Sequence, residues 1–250
     1  AIPGGGCPAG RPGLFIRHNR DVIIVNIFTN DIVDTHQIPR APSPGHPNPE
    51  PKMTHSLDLY WSFRSPYSYL ATDEIVALRE TYDLEVNVRI VYPIAIRTAE
   101  FFKNVNPLWR NYIRRDVVRV AAQKGLPFAI PPVPDPVVID PDRPIVSPHQ
   151  PYIHRLSHLG VAAAETGDGL AFIQSVGATI WSGRVKNWDQ GDHLARAAEA
   201  AGFDLATLDA LIADNFDAYD AKVKANQSAL ETAGHWGVPT LVYKNEPFFG

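Results

Sequence analysis

The chain has 250 residues, 45% of them hydrophobic, with 23 Lys and Arg against 27 Asp and Glu for a formal net charge of −4. That length and apolar content suit one large domain or a domain with an insertion, and the charge balance lacks the clustered basic residues of a nucleic-acid surface. The single cysteine, Cys7, excludes an intramolecular disulfide framework and leaves a reducing cytoplasm as the default compartment, while no apolar run nears the roughly 20 residues that span a bilayer and no signal-peptide pattern opens the chain.

Residues 1–52 read differently from the rest. They hold nine of the 23 prolines and the run Gly4-Gly5-Gly6. Proline recurs at nearly every second or third position from Pro39 to Pro51, which favours extended, solvated chain. Val22 to Phe28 has the composition of a lone strand with no evident partner. Met53, the one methionine, stands just before the first convincing strand. The expectation is a disordered Pro/Gly-rich upstream extension over 1–52, translated in frame ahead of a natural start at Met53. A genuine Pro-rich extension is the alternative.

The regular pattern begins at Leu57. Leu57 to Phe63 alternates and is aromatic-rich, as a strand should be. Ser65 is a candidate N-cap and Pro66 occupies a favoured first helical position. Tyr69, Leu70, Ile75, Val76 and Leu78 keep helical spacing to about Tyr82. Glu85 to Tyr92 alternates again, so the first 35 residues of the domain form a β-α-β unit. Pro107 to Lys124 reads as a helix with Trp109, Tyr112, Ile113, Val117, Val120 and Ala121 along one side. The Pro-rich stretch Pro127 to Pro151 is long for a plain connection and points to a functional loop or lid. Helices follow at about 152–166, 170–182, 192–201, 205–214 and 217–233, punctuated by Gly167, Gly169, Gly191, Gly202 and Gly234. Thr240 to Tyr243 and Pro247 to Phe249 flank a turn. The fold class is α/β, a thioredoxin-like fold of β-α-β and β-β units over residues 53–250, with an all-helical subdomain inserted at about 97–234. A closing helix is expected beyond Gly250.

Two short motifs carry the chemistry. Arg64-Ser65-Pro66-Tyr67-Ser68 opens the first helix, and Gly237-Val238-Pro239-Thr240 follows about 170 residues later, at the start of a strand. A thioredoxin-type site has this arrangement, with Cys-x-x-Cys at a helix N-terminus facing a cis-proline. Here Ser65 and Ser68 occupy both cysteine positions, so any thiol must be borrowed. The Ser65 hydroxyl can donate to a bound thiolate, aided by the roughly half positive charge of a helix N-terminus. It can equally serve only as the cap. Ser68 is either a second polar contact or a small residue packed on the sheet. A cis Pro239 would present the Val238 backbone to an extended peptide ligand; a trans proline at a strand start is the alternative. Tyr67 and Tyr69 are candidates for an aromatic pocket or for core, Tyr69 for core. Asn104 and Asn106 flank a helix start, where capping also accounts for them. Lys103, Arg110 and Arg114 offer cations for carboxylates, or solvated charge. Asp116 reads as a brace or a helix-surface pair with Arg119. His154 and His158 stand four apart, with His149 upstream, yet no Glu or Cys completes a zinc set, and no metal site is expected. His235 and Trp236 should pack beside the site.

With these residues assembled, the chain from about Leu57 to Gly250 resembles the DsbA-like branch of the thioredoxin superfamily. Within that branch it resembles the 2-hydroxychromene-2-carboxylate isomerases and the related kappa-class glutathione transferases. The resemblance rests on Ser65-Pro66-Tyr67-Ser68-Tyr69-Leu70, Asn106-Pro107, Tyr112-Ile113 with Asp116 and Arg119-Val120-Ala121, Gly125-Leu126-Pro127, and Gly237-Val238-Pro239-Thr240. It implies glutathione as cofactor. Ser65 matches the serine that holds the glutathione sulfur, Asn106 an asparagine contact, and Val238 with Pro239 the cis-proline element that pairs with the cysteinyl backbone. Arg110 is the nearest match to a basic contact seen in some relatives. An acidic residue that grips the tripeptide follows the final Phe-Phe-Gly in the family. The implied substrate is a small aromatic acid, with Tyr67, Trp109 and Trp236 as pocket candidates, in a cytoplasmic enzyme for which a homodimer stays open. The implied activity is glutathione-dependent isomerisation; a kappa-like transferase and an inactive DsbA-like binding module are the alternatives.

Overall fold

The computed structural model describes residues 14–18, 21–25, 32–33, 55–98, 100–101, 105–140 and 145–250. The chain divides into two units, Ala1–Lys52 with Gly250, and Met53–Phe249.

In the first unit, β1 (Leu14–His18), β2 (Asp21–Val25) and β3 (Ile32–Val33) form an antiparallel sheet in the order β1-β2-β3. The expected lone strand at Val22 to Phe28 is therefore corrected. Its first part belongs to β2, and β1 is its partner, in the register Leu14↔Val25 to His18↔Asp21. Two residues separate β1 from β2, the length of a tight hairpin connection. Leu14-Phe15-Ile16 is too short an apolar run to declare itself as a strand from sequence. The Pro39–Pro51 stretch and Cys7 lie outside the described residues.

The second unit is an α/β fold built on the four-stranded sheet β5-β4-β6-β7. Its strands are β4 (His55–Trp61), β5 (Leu84–Ile90), β6 (Thr240–Tyr243) and β7 (Glu246–Phe249). β5 runs parallel to β4, from His55↔Leu84 to Trp61↔Ile90. Parallel neighbours need a crossover, here α1 (Pro66–Thr81). β6 is antiparallel to β4, with Tyr60↔Thr240, and β7 is antiparallel to β6. β4 begins two residues before the expected start because His55 and Ser56 already pair with Leu84 and Glu85.

Between β5 and β6 come α2 (Ile94–Arg97), α3 (Pro107–Lys124), α4 (Ile153–Thr166), α5 (Gly169–Trp181), α6 (His193–Ala200), α7 (Leu205–Asp214) and α8 (Phe216–Thr232). α4 packs on β5 and against α5, α7 and α8, while α1 packs on β5 and α5. The core where sheet meets helices holds Leu59, Trp61, Phe63, Leu70, Ile75, Ile90, Ile153 and Phe172, all fully buried. α4 comes so close that a Cβ at Gly160 would stand 2.8 Å from Phe63 Cε2 and 2.9 Å from Ile90 Cγ1. Short α2 lies below the length at which periodicity shows.

The expected apolar side of α3 is only partly a buried one. Val117 and Ala121 are buried, but Trp109 and Tyr112 are exposed, as is Leu108. The C-terminal half of the helix packs and the N-terminal half presents aromatic surface.

Candidate functional site

Local chemistry sets the N-terminus of α1. Ser65 has extended backbone (φ −93°, ψ 113°) and caps the helix, its Oγ accepting from Ser68 N at 3.1 Å, with Pro66 inside the first turn. The same Oγ donates to the Val238 carbonyl at 3.2 Å, across 173 residues of sequence. The Val238–Pro239 peptide bond is cis. The structure thus brings Ser65, Val238 and Pro239 together. The first turn of a helix leaves its N–H groups without intrahelical acceptors, and Tyr67 lies in the first turn of α1.

The second serine has a different environment. Ser68 is fully buried, its Oγ has no partner, and its carbonyl accepts from Trp61 Nε1 at 3.0 Å. Of the two readings for Ser68, the packed small residue is the one the geometry matches.

Long-range ties hold the turn around Ser65. Arg64 makes a two-pronged bond to Asp135, Nε to Oδ1 at 2.9 Å and Nη2 to Oδ2 at 3.1 Å. Trp181 Nε1 donates to the Phe63 carbonyl at 2.9 Å, and Tyr69 OH donates to the Pro127 carbonyl at 2.7 Å. Phe128 stacks on both Tyr69 and Trp181, at ring separations of 6.3 and 5.9 Å. The stretch expected to be a functional loop or lid is, over its described part, a fastened strap. Ala129 N donates to the Trp181 carbonyl, Asn187 N to that of Val133, and Trp188 Nε1 to that of Pro134. Backbone groups in a long irregular segment need such partners when they leave water.

The loop before β6 is held at closer range. Gly237 N donates to His235 Nδ1 at 2.9 Å, and Thr240 Oγ1 donates to the Gly237 carbonyl at 2.7 Å. Arg97, at the end of α2, donates to the Trp236 carbonyl. Burial works to lower the Arg97 pKa and the charge of Glu231 opposes it.

The pocket candidates separate. Trp236 and Trp109 are 50% and 37% exposed and meet through Phe101, whose ring centre is 5.6 Å from Trp236 and 5.8 Å from Trp109. Phe101, which sequence reasoning missed, makes one aromatic patch of two residues 127 apart. It follows a four-residue helix and carries no periodic signal. Tyr67 is a brace: its OH donates to Asp116 Oδ2 at 2.5 Å and so joins α1 to α3. Burial, then the Asp116 carboxylate, push its pKa well up. Asp116 accordingly finds its partner on α1. Asn106 is exposed and caps α3, accepting from Leu108 N at 3.0 Å; no bond joins it to Ser65 among the described residues. Lys103, Asn104 and the Arg110 side chain lie outside the described residues.

His158 is fully buried, its Nε2 2.9 Å from Tyr92 OH, which donates to Asp220 at 2.7 Å; His154 lies edge-on to the Tyr92 ring. Among the described residues no cluster of His, Cys, Asp or Glu suits a metal ion, and no helix is long and apolar enough to cross a membrane.

The Ser65 hydroxyl thus sits on a helix N-terminus, facing the carbonyl that precedes Pro239. Its 3.2 Å bond to that carbonyl is long for a hydroxyl donor.

Residues 56–250 match the model of the DsbA-like thioredoxin domain. No curated protein sequence matches the chain. Among solved structures, the chain is similar to a 2-hydroxychromene-2-carboxylate isomerase at TM-score 0.57 and 20% identity, over 78% of this chain and 88% of that one. It is also similar to a probable DsbA oxidoreductase from Streptomyces coelicolor, at TM-score 0.52 and 18% identity, over 78% of this chain and 83% of that one. At these identities the likeness is one of fold.

Proposed function

We propose that this chain, which belongs to the DsbA-like thioredoxin domain family, is a glutathione-dependent isomerase of the 2-hydroxychromene-2-carboxylate type, acting on a small aromatic acid. One observation carries the reading: a serine hydroxyl caps the active-site helix where the fold otherwise places a thiol, and it lies 3.2 Å from the carbonyl that precedes the cis-proline. Dithiol exchange needs two sulfurs at positions 65 and 68, and both are serine.

Ser65 holds the glutathione sulfur, its hydroxyl proton turning from Val238 O to the thiolate. The α1 N-terminus, with the N–H groups of its first turn, favours the anion there. The Val238 amide pairs with the cysteinyl backbone, Pro239 shapes that edge, and Asn106 contacts the tripeptide. When bound, glutathione supplies a thiolate nucleophile that adds to the conjugated substrate and leaves unchanged. The Trp109–Phe101–Trp236 patch receives the aromatic ring, and Tyr67 keeps α3, which carries Trp109, against α1. A reducing cytoplasm, where glutathione stays a thiol, is the matching compartment.

Calorimetric titration with glutathione, and ultraviolet assay of 2-hydroxychromene-2-carboxylate with and without it, test the proposal. A charge-assisted hydrogen bond is worth roughly 1.5–3 kcal/mol, so Ser65→Ala should cut turnover at neutral pH by about ten- to a hundredfold. Binding of S-methyl glutathione should change little. Turnover without glutathione, or equal turnover in Ser65→Ala, overturns the reading.

A further inference from the structure

The loop that carries Val238 is latched by a side chain. His235 and Gly237 are two residues apart, and the Gly237 amide donates to His235 Nδ1 at 2.9 Å. Asn and Asp side chains make the same i to i+2 bond in Asx turns. A backbone N–H can only donate, so Nδ1 is the bare nitrogen and the ring proton sits on Nε2. Thr240 Oγ1 lies 3.3 Å from the same Nδ1, but its own proton goes to the Gly237 carbonyl. Two rings neighbour the imidazole, Trp236 at 5.7 Å and 11°, and Phe249 at 4.2 Å and 30°.

We infer that His235 is a positioning residue for the site: its imidazole holds the Gly237–Val238 turn against Ser65. The inference rests on the reading of Ser65 and Val238 as the pair that holds glutathione. Without an acceptor at Nδ1 the Gly237 amide loses its partner, and of the two side chains bonded to Gly237 only Thr240, on the Gly237 carbonyl, then holds the turn.

The full chain, His235→Asn and His235→Phe separate the possibilities. Asn keeps an i to i+2 acceptor; Phe keeps the ring stack and lacks the acceptor. The probe is S-methyl glutathione, which has no thiol to ionise, titrated calorimetrically at neutral pH. His235→Phe should bind it about five- to tenfold more weakly than wild type, as the loss of one hydrogen bond implies, and His235→Asn should bind it like wild type. A His235→Phe protein that binds like wild type, or a His235→Asn protein as weak as His235→Phe, overturns the inference. Gly237 amide exchange by NMR at neutral pH gives a ligand-free readout, slow in wild type and His235→Asn and faster in His235→Phe. If that order holds but wild type does not bind the probe, the glutathione reading falls and the latch stands. If the probe binds but exchange is equal in all three, the latch falls and the glutathione reading stands.

Discussion

The turn that carries Ser65 is tied to distant parts of the chain, whereas the loop that carries Val238 is tied largely to itself. Asp135 holds Arg64, Trp181 holds the Phe63 carbonyl, and the Pro127 carbonyl holds Tyr69. Each bond comes from a different point on the strap or the helices, so losing one leaves the others. On the opposite side, His235 and Thr240 belong to the same short segment as the Gly237 they hold, and the long-range hydrogen bonds come from Arg97 to the Trp236 carbonyl and from Ser65 to the Val238 carbonyl. The Ser65 wall of the site is held from several distant points, and the Val238 wall has less redundancy. Perturbation should therefore appear as lost stability on the first wall and as lost binding on the second.

The largest expected effect is on the Ser65 wall. Trp181 is 3% exposed, stacks on Phe128 and satisfies the Phe63 carbonyl. Trp181→Ala should destabilise the domain by about 3–5 kcal/mol, read from a denaturant midpoint; a loss under about 1 kcal/mol would mean that the strap does not anchor the turn.

Gly237→Ala attacks the other wall. Its Cβ would lie 2.5 Å from Phe249 Cε2 and 2.9 Å from His235 Cε1. Overpacking of this kind costs about 1–3 kcal/mol. Because the loop is held largely by its own side chains, binding of S-methyl glutathione should fall further than thermal stability does. Calorimetry beside thermal melts checks the order, and unchanged binding would erase the contrast between the walls.

Arg64→Gln should be milder. The pair with Asp135 is about a quarter exposed on each side, and pairs that open to water contribute about 1 kcal/mol or less. With Phe63 and Tyr69 still held, affinity for S-methyl glutathione should change less than twofold. A larger loss would show the ties acting as one unit.

Acid gives the finest separation. Burial lowers the pKa of His154 and of His158, against the nearby Asp220 charge. The unfolded chain then takes up those protons first, so their contribution is complete above the ordinary histidine value of about 6.5 and is lost as pH falls below it. Asp168 and Asp220 are also buried in part, which raises a carboxyl pKa. Arg79 and the Ala171 amide outweigh this for Asp168, and Lys224 and Tyr92 do so for Asp220, leaving both lowered. Their contribution should disappear below about pH 4. Melting temperature should thus decline in two stages, and His158→Gln should flatten the first. A first stage unchanged in His158→Gln would mean that the buried histidines do not drive it.

Much of the fold and part of the site can be read without coordinates. The Ser65 cap, the Pro66 start and the β-α-β unit follow from neighbours in sequence, because capping, helical spacing and strand alternation act over a few residues. The replacement of both cysteines by serine, and the proline before β6, are visible for the same reason. What tertiary structure alone decides is who meets whom. Phe101 gathers Trp109 and Trp236 into one patch, Tyr67 gives its hydroxyl proton to Asp116, β1 pairs with β2, and the described part of the Pro127–Pro151 stretch becomes a strap. These contacts join groups that no local rule relates, since a hydroxyl or a ring carries the same intrinsic preference whichever partner the packing brings. His235 lies between the two cases: its bond to Gly237 spans only two residues, but its importance arises because folding sets that turn opposite Ser65.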